Sequence, residues 1–148
     1  MFESKSNNIP WDGIANGHLQ PIDAYVWFAE GEDINGKIIS KPLNREEALE
    51  ILIRLNGKTH HLISSVCISQ NGSMIWNHTD KASLTMKQMS EEQLKKYLAK
   101  ISDEALYAYN VYQIEGEGRS LFSKIEGDED TIMGLPIKKI KEYLNNYK

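Results

Sequence analysis

Residues 111–136 read VYQIEGEGRSLFSKIEGDEDTIMGLP, and the order of turns and apolar positions in this stretch decides what kind of domain the chain builds. A short acidic glycine loop, Glu115-Gly116-Glu117-Gly118, comes first. An alternating strand follows, with Leu121, Ser123 and Ile125 on one face, and then a second acidic turn from Glu126 to Asp130. Gly134-Leu135-Pro136 leads into a closing helix, for which Pro136 is suited as a first helical residue. Loops of this kind at strand ends carry sites, although glycines also mark plain turns and acidic residues are commonly just solvated.

Moving outward, the closing helix presents Ile137, Ile140, Leu144 and Tyr147 on one face. Upstream, SDEALYAYNVY (residues 102–112) reads as helical, and Ser90 with Gln93 forms a capping box for a helix whose apolar face is Leu94, Tyr97, Leu98 and Ile101. Before it lie three strands. HHLISSVCIS and SMIWNHT pair about Asn71-Gly72, and DKASLTMK alternates through Ala82, Leu84 and Met86. A further helix starts at the Asn44 cap, with Glu47 placed to reach back and Ala48, Leu49, Ile51, Leu52 and Leu55 as its stripe, and closes at Asn56-Gly57. Residues 22–28, IDAYVWF, read as a buried strand, and Asn35-Gly36 as a hairpin turn before Ile38-Ile39. Residues 1–20 fall on no helical or strand face and read as loop, or as a segment ordered only by docking. The class is therefore α/β: a single domain whose mixed, partly antiparallel sheet is flanked by helices.

The length of 148 residues suits one domain with a real core. A net charge of −4, with lysines interleaved among acids, argues against a nucleic-acid partner. No apolar run approaches the ~20 residues of a membrane span, and the N-terminus lacks the apolar core of a signal peptide. The lone cysteine, Cys67, lies in an apolar run and reads as a buried thiol, which fits a reducing cytoplasm.

His18, His60, His61 and His78 lack zinc-site spacing, and His60 reads as a hydrogen-bonded junction residue. Neither G-x-S-x-G nor G-x-x-x-x-G-K-[ST] occurs, which excludes nucleophile-elbow and P-loop chemistry. What remains is a set of carboxylates and lysines near turns: Asp23, Lys41, Glu115, Glu117 and the 126–130 acids. Carboxylates take hard cations and lysine supplies a point charge for phosphate, a combination suited to metal-assisted attack of water on a phosphoric anhydride.

Taken together, GKIISKP (36–42), EEALEILIRLNGKTH (46–60), LISSVCIS, WNHTDKASLTMKQMSEEQLKKYL and YQIEGEGRSLFSKIEGDEDTIMGLP resemble, in order, the Maf family of nucleoside triphosphate pyrophosphatases, particularly its alphaproteobacterial version. The resemblance covers residues 36–148 and sets residues 1–35 apart as a divergent N-terminal segment. It implies a Maf/ITPase-like fold and hydrolysis of modified or non-standard nucleoside triphosphates to monophosphate and pyrophosphate, with Mg²⁺ or Mn²⁺.

Lys41-Pro42 matches the family's phosphate-contacting G-K-P, with Ser40 in place of glycine, and Ile114-Glu115-Gly116 matches its I-Q-G or I-E-G motif. The implied site is Asp23, Lys41 and Glu115 for catalysis, Lys41, Glu115 and Gly116 for substrate, and Asp23 and Glu115 for the metal. Lys41 and Glu115 are then expected to open on one cleft. The front of the chain departs from the family: its usual strand, serine- and arginine-rich loop and helix have no counterpart here. The family aspartate lies twelve positions before the motif lysine, whereas Asp23 precedes Lys41 by eighteen and Ala29 occupies the twelfth position.

Three consequences follow from that departure. An apolar edge needs cover, either from the segment Trp11–Phe28 or from a second chain in a homodimer. Activity is expected to be weaker than that of an intact family member. The alternative function is a catalytically impaired Maf remnant that binds nucleotide or dimerises.

Overall fold

The computed structural model describes residues 14–15, 18–19, 23–109 and 111–147, with side chains for 30–106 and 111–147. The expectation of loop over residues 1–20 is overturned at 14–15 and 18–19, which pair as strands, and otherwise lies outside the described residues, as does the side-chain cover expected from Trp11–Phe28. Two short paired strands, β1 (Ile14–Ala15) and β2 (His18–Leu19), precede the main sheet. That sheet has five strands: β3 (Asp23–Glu32), β4 (Ile38–Ile39), β5 (Thr59–Gln70), β6 (Ser73–Met86) and β7 (Phe122–Glu126). Their spatial order is β4-β3-β5-β6-β7, and every neighbouring pair is antiparallel. The helices are α1 (Arg45–Leu55), α2 (Glu91–Lys100), α3 (Asp103–Tyr109), α4 (Glu129–Ile132) and α5 (Ile137–Asn146). The α/β class and the two capped helices on a sheet containing residues 61–69 are as expected, while the sheet, expected to be only partly antiparallel, is antiparallel at every described pair.

Caps explain where the helices start. Asn44 Oδ1 accepts from the Glu47 amide at 2.8 Å, and Glu47 accepts from the Leu43 amide, one residue further back than a capping box requires. In α2 the box is complete: the Gln93 amide donates to Ser90 Oγ, and the Ser90 amide donates to Gln93 Oε1. Gly57 ends the junction after α1 with φ +67°, which favours glycine.

Pairing places His60, Leu62, Ser64, Val66 and Ile68 on one face of β5, opposite Leu84, Ala82, Asp80, His78 and Trp76 of β6. Both helical layers lie on that face. Towards one end, α1 and α2 bury Ala48, Leu52, Leu55, Leu94 and Leu98 against Ala82, Leu84 and Met86. Towards the other, Ile140 of α5 packs on Val66 and Ile68. The opposite face is lined by side-chain hydrogen bonds across the β5–β6 pair: Thr59 to Thr85, His61 to Ser83 and Ser65 to Thr79. Alternation in β5 thus separates a fat-bearing face from a hydroxyl-bearing one.

Four sequence expectations change. SMIWNHT and DKASLTM form one fourteen-residue strand, β6, rather than two. Asp80 sits inside it because its carboxylate accepts from Thr131 Oγ1 at 2.9 Å, a partner supplied by α4. Leu121 lies in a 3-10 helix (Glu117–Leu121) rather than in the strand, and Leu121 and Phe122 are both buried while Ser123 is exposed. A register shift at Thr85/Met86 breaks the expected alternation there. In α5 the buried residue is Ile140, with Tyr143 half-buried on Trp76 at 5.0 Å between ring centroids, whereas Ile137, Leu144 and Tyr147 are exposed. Pro136 is the N-cap of α5 rather than its first residue.

Candidate active site

The β3–β4 hairpin positions the motif lysine. Its turn is tied by Asp33: the Asp33 amide donates to the Lys37 carbonyl, and the Asp33 carbonyl accepts from Gly36, which has φ +75°. Asp33 Oδ1 also accepts from the amides of Asn35 and Lys37 at 2.9 and 3.0 Å. The Lys37 amide holds the carboxyl below the usual carboxylate range, against the opposing pull of burial. From this turn β4 pairs Ile38 and Ile39 with Glu32 and Gly31, and the chain then leaves the sheet at Ser40-Lys41 before buried Pro42.

Where β4 leaves the sheet there is a cavity of about 310 Å³, lined among others by Glu30, Gly31, Ser40, Lys41, Ile63 and Ile132. Gly31 leaves no side chain there, and a Cβ at that position would meet Leu62 and Ile39 at 3.2–3.4 Å. Glu30 pairs with Ile63, which pairs with Lys81, so the row carries a carboxylate and a cation two strands apart, about 9–10 Å. A lysine and a carboxylate at the mouth of one apolar hollow can hold a phosphate and take up a proton from water.

Asp23 is placed elsewhere. It pairs with Ser69 at the far end of β3, seven residues from Glu30, or roughly 20–23 Å along the strand. Its backbone is therefore not brought to Lys41. Glu30 is the carboxylate that sequence reading passed over. The signal for it was present, since counting twelve back from Lys41 lands on Ala29, its immediate neighbour.

Glu115 is exposed in the turn between α3 and the 3-10 helix, where the Gly116 amide donates to the Gln113 carbonyl at 3.1 Å. Gly118 is buried so closely on this turn that a Cβ would lie 2.6 Å from the Gln113 carbonyl oxygen and 2.7 Å from its nitrogen. Beneath it, Tyr112 OH lies 2.6 Å from His60 Nε2, and Tyr97 OH donates to the Val111 carbonyl at 3.1 Å. Burial raises both phenols well above the ordinary tyrosine range, with Glu117 adding to the shift at Tyr97 and Tyr97 to that at Tyr112. Burial also lowers His60 to about 4, with His61 contributing. His60 is thus a neutral core histidine, as its junction position implied.

Tyr97, Tyr112, Gln113, Glu117 and Gly118 line a second cavity of about 270 Å³ beside Lys100. Neither this cavity nor that of Lys41 is lined by both Lys41 and Glu115.

Arginines are mostly committed within the fold. Arg45 donates to Asp103 and to the carbonyls of Leu98 and Ile101, and Arg119 donates to Glu129 at 2.7 Å. Among the described residues no three His, Cys, Asp or Glu side chains converge as a metal cage. A magnesium-type site needs only one or two carboxylates, with phosphates and water supplying the other oxygens. Exposed Glu115 and cavity-lining Glu30 are donors of that kind. No helix among the described residues is long and apolar enough to cross a membrane.

Comparison with known proteins follows the same outline. The nucleoside triphosphate pyrophosphatase of Pelagibacter ubique is 78% identical over 116 residues, covering 78% of this chain and 60% of that protein. The 7-methyl-GTP pyrophosphatase of Bartonella quintana is 43% identical over 105 residues, covering 71% of this chain and 53% of that one. The nucleoside triphosphate pyrophosphatase of Legionella pneumophila is 32% identical over 152 residues, covering 97% of this chain and 75% of that one. The chain thus spans between about half and three fifths of the first two relatives. The Maf family model, described as Maf-like protein, matches residues 22–147 and so takes in β3 with its Glu30. With that match over most of its length, and a lysine hairpin and acidic glycine turn built as described, this chain belongs to the Maf family.

Proposed function

We propose that the chain is a nucleoside triphosphate pyrophosphatase of the cytoplasm, in which water attacks the α-phosphorus, the bond to the bridging oxygen breaks, and pyrophosphate leaves with its electron pair. The observation that carries the reading is that Lys41 and Glu30 line one cavity, inside a chain 78% identical over its matched length to a relative of that name. Lys41 holds phosphate oxygens, and Glu30 takes the proton of the attacking water. Glu115 and Gly116 lie on the turn that meets the nucleotide, with Glu115 accepting hydrogen bonds from donors on the base. A divalent cation, Mg²⁺ or Mn²⁺, would be held by Glu115 and Glu30, and when bound it would neutralise phosphate oxygens. Modified guanine nucleotides belong in the substrate panel because 7-methyl-GTP pyrophosphatases are among the relatives.

The test is pyrophosphate release by the purified chain from 7-methyl-GTP and the common and non-standard triphosphates, with Mg²⁺ or Mn²⁺, against Lys41→Gln. Release that is metal-dependent and lost in the variant supports the reading. Equal background in both overturns it. A second reading, a nucleotide-binding or dimerising module without catalysis, is favoured by the commitment of Arg45 and Arg119 to carboxylates of the fold. It predicts nucleotide binding without turnover, and sedimentation as a dimer.

A further inference from the structure

At the end of α1 remote from Lys41 there is a hollow of about 240 Å³ between the β3–β4 turn and the residues after the helix. Among its lining residues are three cations, Lys37, Arg54 and Lys58, and one acid, Asp33, in a chain whose net charge is −4. Arg54 Nε is buried and has no hydrogen-bond partner. Its nearest carboxylate oxygen, Asp33 Oδ2, stands 4.0 Å away, too far for a hydrogen bond, while the other oxygen of Asp33 is taken by two backbone amides.

Basic residues at a helix C-terminus ordinarily complement the carbonyls there. Here the Ile53 and Leu55 carbonyls already accept from the amides of Asn56 and Lys58, so Arg54 is not needed for that purpose. Arg54 Nε thus has no hydrogen bond to Asp33, and a tetrahedral oxyanion has the shape and charge to suit a partly exposed arginine flanked by two ammonium groups.

We propose that this hollow binds a phosphate-type oxyanion, held between the partly exposed side chain of Arg54 and the ammonium groups of Lys37 and Lys58. It lies at the opposite end of α1 from the Lys41 cavity and shares no lining residue with it.

The probe is inorganic pyrophosphate, with inorganic phosphate as a second arm, titrated into the ¹⁵N-labelled full chain carrying Lys41→Gln to silence the other cavity. A saturable shift of the Arg54 Nε–H resonance, with the Asn35 and Lys58 amides moving at the same midpoint, is the expected result. Lys37→Gln and Lys58→Gln, at exposed positions that leave the fold intact, are each expected to weaken binding about three- to five-fold. A stationary Arg54 Nε–H at saturating pyrophosphate, or midpoints unchanged in both lysine variants, overturns the site.

Discussion

Nε2 of His60 lies 2.6 Å from the phenolic oxygen of Tyr112, joining the first turn of β5 to the segment that leads into the glycine loop. His60 is buried and Tyr112 partly buried, and His60 is held neutral with a pKa of about 4. An unfolded histidine titrates near 6.5, so between pH 6.5 and 4 the unfolded chain binds a proton that the folded chain does not. Stability therefore falls as pH drops through that window, by about 3 kcal/mol at its lower end. Urea denaturation at pH 7, 5.5 and 4.5 measures this. His60→Gln, which keeps an amide for Tyr112, should show a flatter dependence, and an identical slope in the two proteins would count against the assignment.

Gly116 and Gly118 look alike in sequence and differ in the fold. A Cβ at Gly116 meets nothing nearer than 3.9 Å, whereas at Gly118 it runs into backbone at 2.6–2.7 Å. Gly118→Ala should cost about 1–3 kcal/mol in chemical denaturation, and Gly116→Ala less than about 0.5. Similar losses at both positions would show that the turn tolerates displacement.

Arg45 fastens α1 to the α2–α3 junction through one carboxylate and two carbonyls, at 2.8, 2.8 and 2.7 Å. A lysine can replace its charge but not that three-way fork. Arg45→Lys is expected to lower stability by about 1–2 kcal/mol and Arg45→Ala by somewhat more, read as a fall in the urea midpoint at constant slope.

Glu30 and Asp23 sit on the same strand and only Glu30 lines the lysine cavity. Given turnover, Glu30→Gln should reduce kcat by about 10²–10⁴, and Asp23→Asn by far less. A profile of the reverse order would move the chemistry to the other end of β3.

Much of the fold was legible because its signals are local. Asn44 and Ser90 mark helix starts through bonds to residues three positions on, and Asn71-Gly72 marks a turn through backbone angles of its own. What was misread depends on distant partners. Asp80 looks like a break until Thr131 arrives from fifty residues away, and Leu121 looks like strand until Gly118 is seen pressed on Gln113. The face of α5 failed similarly, since Tyr143 is selected by Trp76 and not by spacing. For the site, Lys41 was readable from its motif. For Glu30 the spacing pointed only to its neighbour Ala29, and the register of the hairpin is what brings Glu30 to the cavity.

The Asn71-Gly72 turn bears on how quickly the chain finds its fold. Both residues have positive φ, 53° and 78°, the arrangement whose twist matches the strands it joins. From Gln70↔Ser73 outward to Thr59↔Thr85, each pair of β5 and β6 closes next to one already formed, so the entropy of loop closure is met essentially once. A hairpin of this kind assembles in roughly 1–10 μs. Since α1, α2, α4 and α5 all dock on it, it is the natural nucleus for the rest. Gly72→Ala, strained at φ +78°, should then slow refolding by nearly the whole of its equilibrium cost and leave the unfolding rate almost unchanged. The lifetime of the native chain would thus be set by its helices, and its time of formation by two residues at the tip of one turn.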